Sequence, residues 1–515
     1  MYDLLQNNAR CVQKVACDGS NITRRQMSRP VMVLLMLSSL GLFLVYTNFV
    51  TVWRAPLILM LSKGARAIPQ GISRSIETIS EPGKNLESRK AGIQFVDTPL
   101  SYDAVLMEKQ LVYTIHQIAQ NTSEKRGIVL PLFNDIAILG VSLIMELRAM
   151  NVDLPIEIPH CGDLKESLQH AILKKEDMGV IRFYDVCEVA AHAVSLLDPM
   201  RKVFCESLRQ CQEMFRSFDI KILAVTYSHF EELMLLDADV LFFENPMTLW
   251  ETDKYRDTGT LLFHDRLCQR TMFLDRPVRG NNRLSHLNVY IAQFQVAPFA
   301  LLKNIKRSNA SSENMIAVKL NNYTPSEHLL TSHSWNRRSG HEMDSSVVLW
   351  SKKRQPRATA ILAAFLARNG IRRPPSYGDK EFYFIAAELA ETQYAFSDFG
   401  VGGAGWEFLD NGPEKSIICG QASHNFPVKP SNASAVANTS LLYLNSEDIL
   451  KYDVKNRPVY YSQARLYEVY PGSFKDRGLN QKCPFDVTGV MLTSRQNDRI
   501  LLRQRFYKIA EAWMR

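Results

Sequence analysis

Two aspartates, Asp237 and Asp239, stand one residue apart within residues 231–246, EELMLLDADVLFFENP. An apolar run over 233–236 leads into them, and a second over 240–243 follows. A strand that ends in Asp-x-Asp holds two carboxylates at a sheet edge, where a hard divalent cation can bridge them to a diphosphate. That chemistry suits an enzyme that uses a nucleotide-activated sugar. A phosphatase with an aspartyl nucleophile carries a similar motif, so the rest of the chain has to decide.

The elements around the pair follow a strand–helix rhythm. Residues 128–132 read as a short strand after Gly127, and 134–150 as an amphipathic helix. Strands follow at 154–158 and 180–184, with the loop His160-Cys161-Gly162-Asp163 after the first of these. Helices at about 190–197 and 220–228 lead to the strand that ends at Asp237. This order means an α/β layer with a mixed, mainly parallel sheet. Ligands of such sheets bind outside the carboxyl ends of the strands, where Asp237 and Asp239 fall. Further on, 258–263 and 347–350 are strand-like. A helix over 357–369 stops at Gly370, another runs from about Asp379 to Leu389, and 498–513 reads as a last amphipathic helix.

The chain has 515 residues, 46% of them apolar, which suits a packed core and argues against disorder. Residues 31–50 carry no charge and match the thickness of a bilayer's hydrocarbon layer. Basic residues crowd the side before them (Arg10, Lys14, Arg24, Arg25, Arg29), which places the N-terminus in the cytosol. The expected layout is a cytosolic tail over 1–30, a single-pass anchor over 31–53, a stem over 54–115 and a luminal catalytic domain over 116–515. Sequons at Asn121, Asn309, Asn322, Asn432 and Asn438 agree with a luminal body. Cys11 and Cys17 fall on the cytosolic side. Seven cysteines lie beyond the span, an odd number, and their connectivity is not deducible. The net charge of +8 is spread along the chain, and no basic run is interleaved with aromatics, which argues against nucleic-acid binding.

The run from Lys221 to Asp239, with Asn245-Pro246 and Leu249-Trp250 behind it, resembles glycosyltransferase family 71. These are the fungal-type α-mannosyltransferases of the Golgi; the glycogenin-type transferases are a more distant likeness. Gly127-Ile128-Val129-Leu130 resembles the family's first nucleotide-binding strand, and residues 154–163 its second strand and loop. Thr260–Asp265 resembles a strand carrying an acidic residue, and Gly378-Asp379-Lys380-Glu381 matches a Gly-Asp-Lys-Glu segment that opens a helix beside the active site. The likeness spans roughly residues 125–445. One departure is Asp344-Ser345-Ser346, where Ser346 stands in place of a glycine and so can reshape the sugar pocket. Another is Ser351-Lys352, where the family often has aspartate-lysine.

The resemblance implies a GT-A-like single domain, GDP-mannose as donor, Mn²⁺ as metal and retention of the α-configuration. Asp237 and Asp239 would hold the metal, with His424 as third ligand. Lys221 and Lys380 would join them in binding the donor. Asp344 is the candidate nucleophile if retention proceeds by double displacement. Asp379 and Glu381 would orient the acceptor, although Asp379 equally suits a helix cap. Implied partners are the nucleotide sugar, a glycan acceptor, the bilayer, and Golgi transferase complexes or a second copy of the chain. Linkage, α-1,2 or α-1,3, stays open. Two rivals remain: a haloacid-dehalogenase-type phosphatase, whose Gly-Asp-x-x-x-Asp motif would need an acid where Tyr383 stands, and a luminal sugar-binding scaffold without catalysis.

Overall fold

The computed structural model describes residues 102–267, 272–295, 297–300, 302, 325–409, 417–451, 458–467 and 488–514. The apolar segment 31–50, the stem up to residue 101, Cys11, Cys17, Cys268, Cys483 and the sequons at Asn309 and Asn322 lie outside them. No helix among the described residues is long and apolar enough to cross a membrane. The three described sequon asparagines, Asn121, Asn432 and Asn438, are all exposed.

The strands are β1 (Glu124–Val129), β2 (Ile156–His160), β3 (Ile181–Asp185), β4 (Phe230–Leu236), β5 (Val240–Phe242), β6 (Thr260–His264), β7 (Pro277–Val278), β8 (Asn281–Ser285), β9 (Met343–Ser351), β10 (Gly402–Leu409), β11 (Ile417–Asn425), β12 (Leu441–Asn445), β13 (Tyr460–Ser462) and β14 (Gly489–Met491). One six-stranded sheet runs β3-β2-β1-β4-β9-β6. Its first four strands are parallel, and β9 is antiparallel to both neighbours, β4 and β6. The mixed, mainly parallel sheet expected from the sequence is therefore present. Its centre is buried on both faces. Leu233 and Leu235 of β4 join one apolar core, while Met234 and Leu236 join the other. A strand covered on both sides reads as a continuous apolar run, as this one does. Each such side chain contributes about 1.5–3 kcal/mol on burial.

A second six-stranded sheet, β14-β13-β10-β11-β12-β5, is antiparallel throughout and was not anticipated. The chain leaves the first sheet at Leu236, turns through Asp237–Asp239, and enters the second at Val240. The Asp-x-Asp turn is thus the joint between two sheets, not the outer edge of one.

Several boundaries differ from expectation. The helix Tyr102–Gln120 straddles the stem limit at 115 and buries Leu111, Val112 and Ile115, so the folded part begins earlier. The stretch 134–150 becomes a single 3₁₀ turn and the helix Ala137–Ala149, buried on most of its surface because the C-terminal helix Ser494–Met514 lies against it. The helix expected over 357–369 is Pro356–Ala364. Beyond it the Arg368 N–H donates to the Val203 carbonyl, and Asn369 adopts a left-handed φ of 52°. Cys161–Cys187 and Cys205–Cys211 form disulfides; the first ties the loop after β2 to the helix Val186–His192.

Candidate active site

Because β9 is antiparallel, its first residues lie at the same sheet edge as the last residues of β4 and β6. Register confirms this: Leu236 pairs with Val347, and His264 with Met343. Asp237, Asp344 and Asp265 consequently gather at one end of the sheet.

Lys221 reaches this edge from the helix Ile220–Tyr227. Its Nζ lies 2.6 Å from Asp237 Oδ1 and 3.6 Å from Asp379 Oδ1, and donates to Ser345 Oγ at 3.4 Å. Burial works against its charge, but Asp237 and Asp379 outweigh burial and hold the ammonium above its ordinary pKa. Only 11% of its side chain is exposed. The helix bearing it is itself tied down. Lys352 Nζ donates to the carbonyls of Thr226 (3.1 Å) and Ser228 (2.7 Å), where helix carbonyls otherwise lack partners.

Asp237 is fixed through its backbone, where its N–H donates to the Ser346 carbonyl at 2.9 Å. Ser346, which replaces the family's glycine, is fully buried and exchanges a 3.1 Å hydrogen bond with the Tyr443 hydroxyl. Asp239 faces the amide of Asn445, with 2.9 and 3.0 Å from the amide nitrogen to its two oxygens. Burial first, and then the charge of Asp237, push Asp239 up to about 7.

Asp379 lies in the turn after Gly378, whose φ of 64° falls in the left-handed region where only glycine is unstrained. It does not cap a helix: the helix Phe382–Leu389 starts later, with Glu381 at its N-cap position and no side-chain capping bond. Instead Asp379 faces Lys221 and accepts from the Tyr383 hydroxyl at 3.3 Å. Burial pushes it up to about 6 while Lys221 pulls it down.

A second charged group stands beside the first. Lys380 pairs with Asp265, and the Asp265 and Asp344 charges keep its pKa raised despite burial. Asp344 Oδ2 accepts from His424 Nε2 at 2.9 Å, and its Oδ1 from the Ser346 N–H at 3.0 Å. Burial alone would raise Asp344, but the His424 bond and the Lys380 charge hold its carboxyl well below the usual range.

Two expected roles are corrected. His424 does not complete a metal site with Asp237 and Asp239: its Nε2 is on Asp344, and its ring stacks on Tyr443 at 4.6 Å. Among the described residues no three His, Cys, Asp or Glu side chains are gathered to hold a metal. Glu381 is not an acceptor-facing carboxylate. It is fully buried, with Oε1 accepting from His341 Nδ1 (3.0 Å) and Oε2 from the Ser376 hydroxyl. Asp344, the candidate nucleophile, accepts one hydrogen bond on each oxygen, from His424 and from the Ser346 N–H. One residue escaped sequence reasoning altogether: Arg503 binds the backbone on both sides of Asp239. Its partners are mostly main-chain carbonyls, which leave no sequence signal.

The donor set nonetheless fits a divalent cation. Five aspartates (237, 239, 265, 344 and 379) share the region with two ammonium groups, Lys221 and Lys380. Asp237 and Asp239 stand one residue apart at the joint of the two sheets, with Lys221 on Asp237. Two carboxylates plus substrate phosphates are a sufficient shell for a hard cation. A cavity of about 280 Å³ lies elsewhere, lined mainly by apolar residues such as Val112, Phe294 and Phe299, and includes none of these groups.

Comparison with known proteins agrees with the motifs. The model of the family described as "Mannosyltransferase putative" matches residues 125–420, more than half of the chain. A Saccharomyces cerevisiae protein named "Probable alpha-1,3-mannosyltransferase MNT4" is 25% identical over 301 residues, covering 58% of this chain and 47% of its own. The alpha-1,3-mannosyltransferase MNT2 of the same yeast is 28% identical over 165 residues, 31% of this chain and 26% of its own. The matched stretches thus span about half or less of these relatives. Among solved structures, mouse xyloside xylosyltransferase 1 in its apo form is 12% identical, covering 53% of this chain and 85% of its own, with a TM-score of 0.27, too low to inform the fold. On the family match, and on the Asp-x-Asp and Gly-Asp-Lys-Glu segments that fall inside it, this chain belongs to the mannosyltransferase family.

Proposed function

We propose that the chain is a metal-dependent, retaining α-1,3-mannosyltransferase. It moves mannose from GDP-mannose to an α-mannoside of a glycoprotein or cell-wall glycan. The α-1,3 linkage rests on the names of the two yeast relatives. A GT-A-like fold is supported by a nucleotide-side parallel sheet leading into Asp-x-Asp. A Golgi membrane setting, with the folded part in the lumen, is supported by the apolar segment 31–50 and by the exposed sequons.

The observation that carries the proposal is the joint at 237–239, where two carboxylates one residue apart follow the parallel-sheet strand and one of them lies 2.6 Å from a buried lysine. Asp237 and Asp239 would hold Mn²⁺, which supplies neutralisation of the departing diphosphate when bound. Lys221 orients Asp237 through their 2.6 Å contact. Lys380 retains 28% of its side chain exposed against 11% for Lys221, so it is the better placed of the two to meet a donor phosphate. Asp379 is buried behind Lys221 and sets that lysine's position rather than touching the acceptor. Retention proceeds by attack on the same face as the departing group or by a double displacement through Asp344.

The phosphatase reading needs a second acid at position 383, where Tyr383 is buried with its hydroxyl donating to Asp379. The test is to incubate the purified chain with Mn²⁺, a panel of nucleotide sugars and α-mannosides. The proposal expects mannose transfer from GDP-mannose that is lost in Asp239→Asn. Phosphate release from a phosphomonoester without transfer supports the phosphatase instead, and sugar binding with neither reaction supports a scaffold.

A further inference from the structure

We infer that Arg503 is a positioning residue for the Asp-x-Asp turn, so that the C-terminal helix Ser494–Met514 is part of the donor site. This rests on the proposed function. Arg503 lies outside the 125–420 stretch that the family model matches. It is fully buried, and all five of its N–H donors are engaged. Nε donates to Ser142 Oγ at 3.0 Å. Nη2 donates to the Leu139 carbonyl at 3.0 Å and the Ala238 carbonyl at 2.9 Å. Nη1 donates to Glu146 Oε2 and to the Val240 carbonyl at 3.2 Å.

The two carbonyls from Ala238 and Val240 flank Asp239. One planar guanidinium therefore grips the backbone on both sides of that carboxylate, a fork geometry that lysine lacks. Glu146 completes the grip: its Oε1 accepts from the Phe242 N–H at 3.0 Å. The Asp239 carbonyl accepts from the Ser446 N–H at 3.1 Å, on the side of β12. Asp237 is held by other means, through the Ser346 carbonyl. The two carboxylates are thus registered by separate supports, and Arg503 sets the position of Asp239 relative to Asp237.

The test uses the full chain and reads direct Mn²⁺ binding in the presence of GDP, by electron paramagnetic resonance of the free ion, beside donor and acceptor KM. Arg503→Lys keeps a positive charge against Glu146 but cannot reach both carbonyls. Arg503→Met with Glu146→Gln removes both charges, so that neither is left buried alone. We expect at least one of the two to unfold cooperatively with heat as the wild type does. In each folded variant Mn²⁺–GDP affinity falls about tenfold or more and donor KM rises, while acceptor KM stays within about twofold. A folded variant with unchanged Mn²⁺–GDP affinity and donor KM overturns the inference and leaves Arg503 as a link between helices. If neither variant folds, the inference is likewise rejected in favour of a purely structural role. A wild-type chain that binds no Mn²⁺–GDP fails the proposed function itself, a result separate from either variant outcome.

Discussion

At the scale of residues, the site divides into partly exposed groups and groups that hold them. Asp237 and Asp239 are partly exposed, with 27% of the Asp237 side chain accessible, whereas Lys221, Asp379, Glu381, His424 and Arg503 are buried among other protein groups. Lys221→Met should therefore act on folding as well as on turnover. It leaves Asp237 and Asp379 without their cation at a nearly closed site, a loss of roughly 3–5 kcal/mol for a buried partner. Chemical denaturation measures this, and an unchanged midpoint contradicts the pairing. Asp239→Asn should behave differently, keeping the fold while transfer drops by roughly 10²–10³-fold, the usual scale for one electrostatic contact to a transition state. Glu381→Gln should cost about 1–3 kcal/mol of stability through its buried bonds to His341 and Ser376. Its acceptor KM should stay near the wild-type value once folded protein is counted, and a large rise would restore the acceptor-orienting role.

At the scale of elements, the Asp-x-Asp strand was legible because its signals are local. Four apolar residues, two acids and a second apolar run sit within one short segment, and a doubly covered strand needs nothing more distant to be recognised. The second sheet was hidden because β5, β13 and β14 are only three residues long and β5 pairs with β12, some 200 residues away. The Asp344–His424 pairing was missed for the same reason. His424 has the chemistry of a metal ligand, and only the path of β11 past β9 shows that it meets a carboxylate first. Glu381 sits beside two residues that do belong to the site, Asp379 and Lys380, but one step along the chain turns its side chain into the core.

Lys352 offers a prediction at this scale. Burial pushes its ammonium down to about 7 from an ordinary 10.5. Between those values the unfolded chain binds more protons than the folded one, so this residue makes stability rise as pH rises through that window. Lys352→Met should flatten the rise while weakening the C-terminal end of the Lys221 helix. Thermal unfolding of both proteins from pH 7 to 10 reads this directly, and equal slopes would contradict the assignment.

At the scale of the whole molecule, the candidate site is assembled from residues spread between 221 and 503. The helix Ile220–Tyr227 supplies Lys221, the joint between the sheets supplies two aspartates, β9 and β11 supply Asp344 and His424, and the last helix supplies Arg503. The family match ends before that last helix, yet Arg503 lies directly behind the Asp-x-Asp turn. Such an arrangement couples ligand binding to the junction of the two sheets. A cation and a nucleoside diphosphate should therefore stabilise the molecule jointly.

The most direct measurement is the thermal unfolding of the chain with Mn²⁺ alone, GDP alone, and both. At ligand about a hundredfold above its dissociation constant, linkage gives about 2.7 kcal/mol of stabilisation. The two-carboxylate clamp predicts a clear upward shift with both ligands, a small one with either alone, and none of the joint effect in Asp239→Asn. Equal shifts in the wild type and in Asp239→Asn, or no shift with both ligands present, would contradict it.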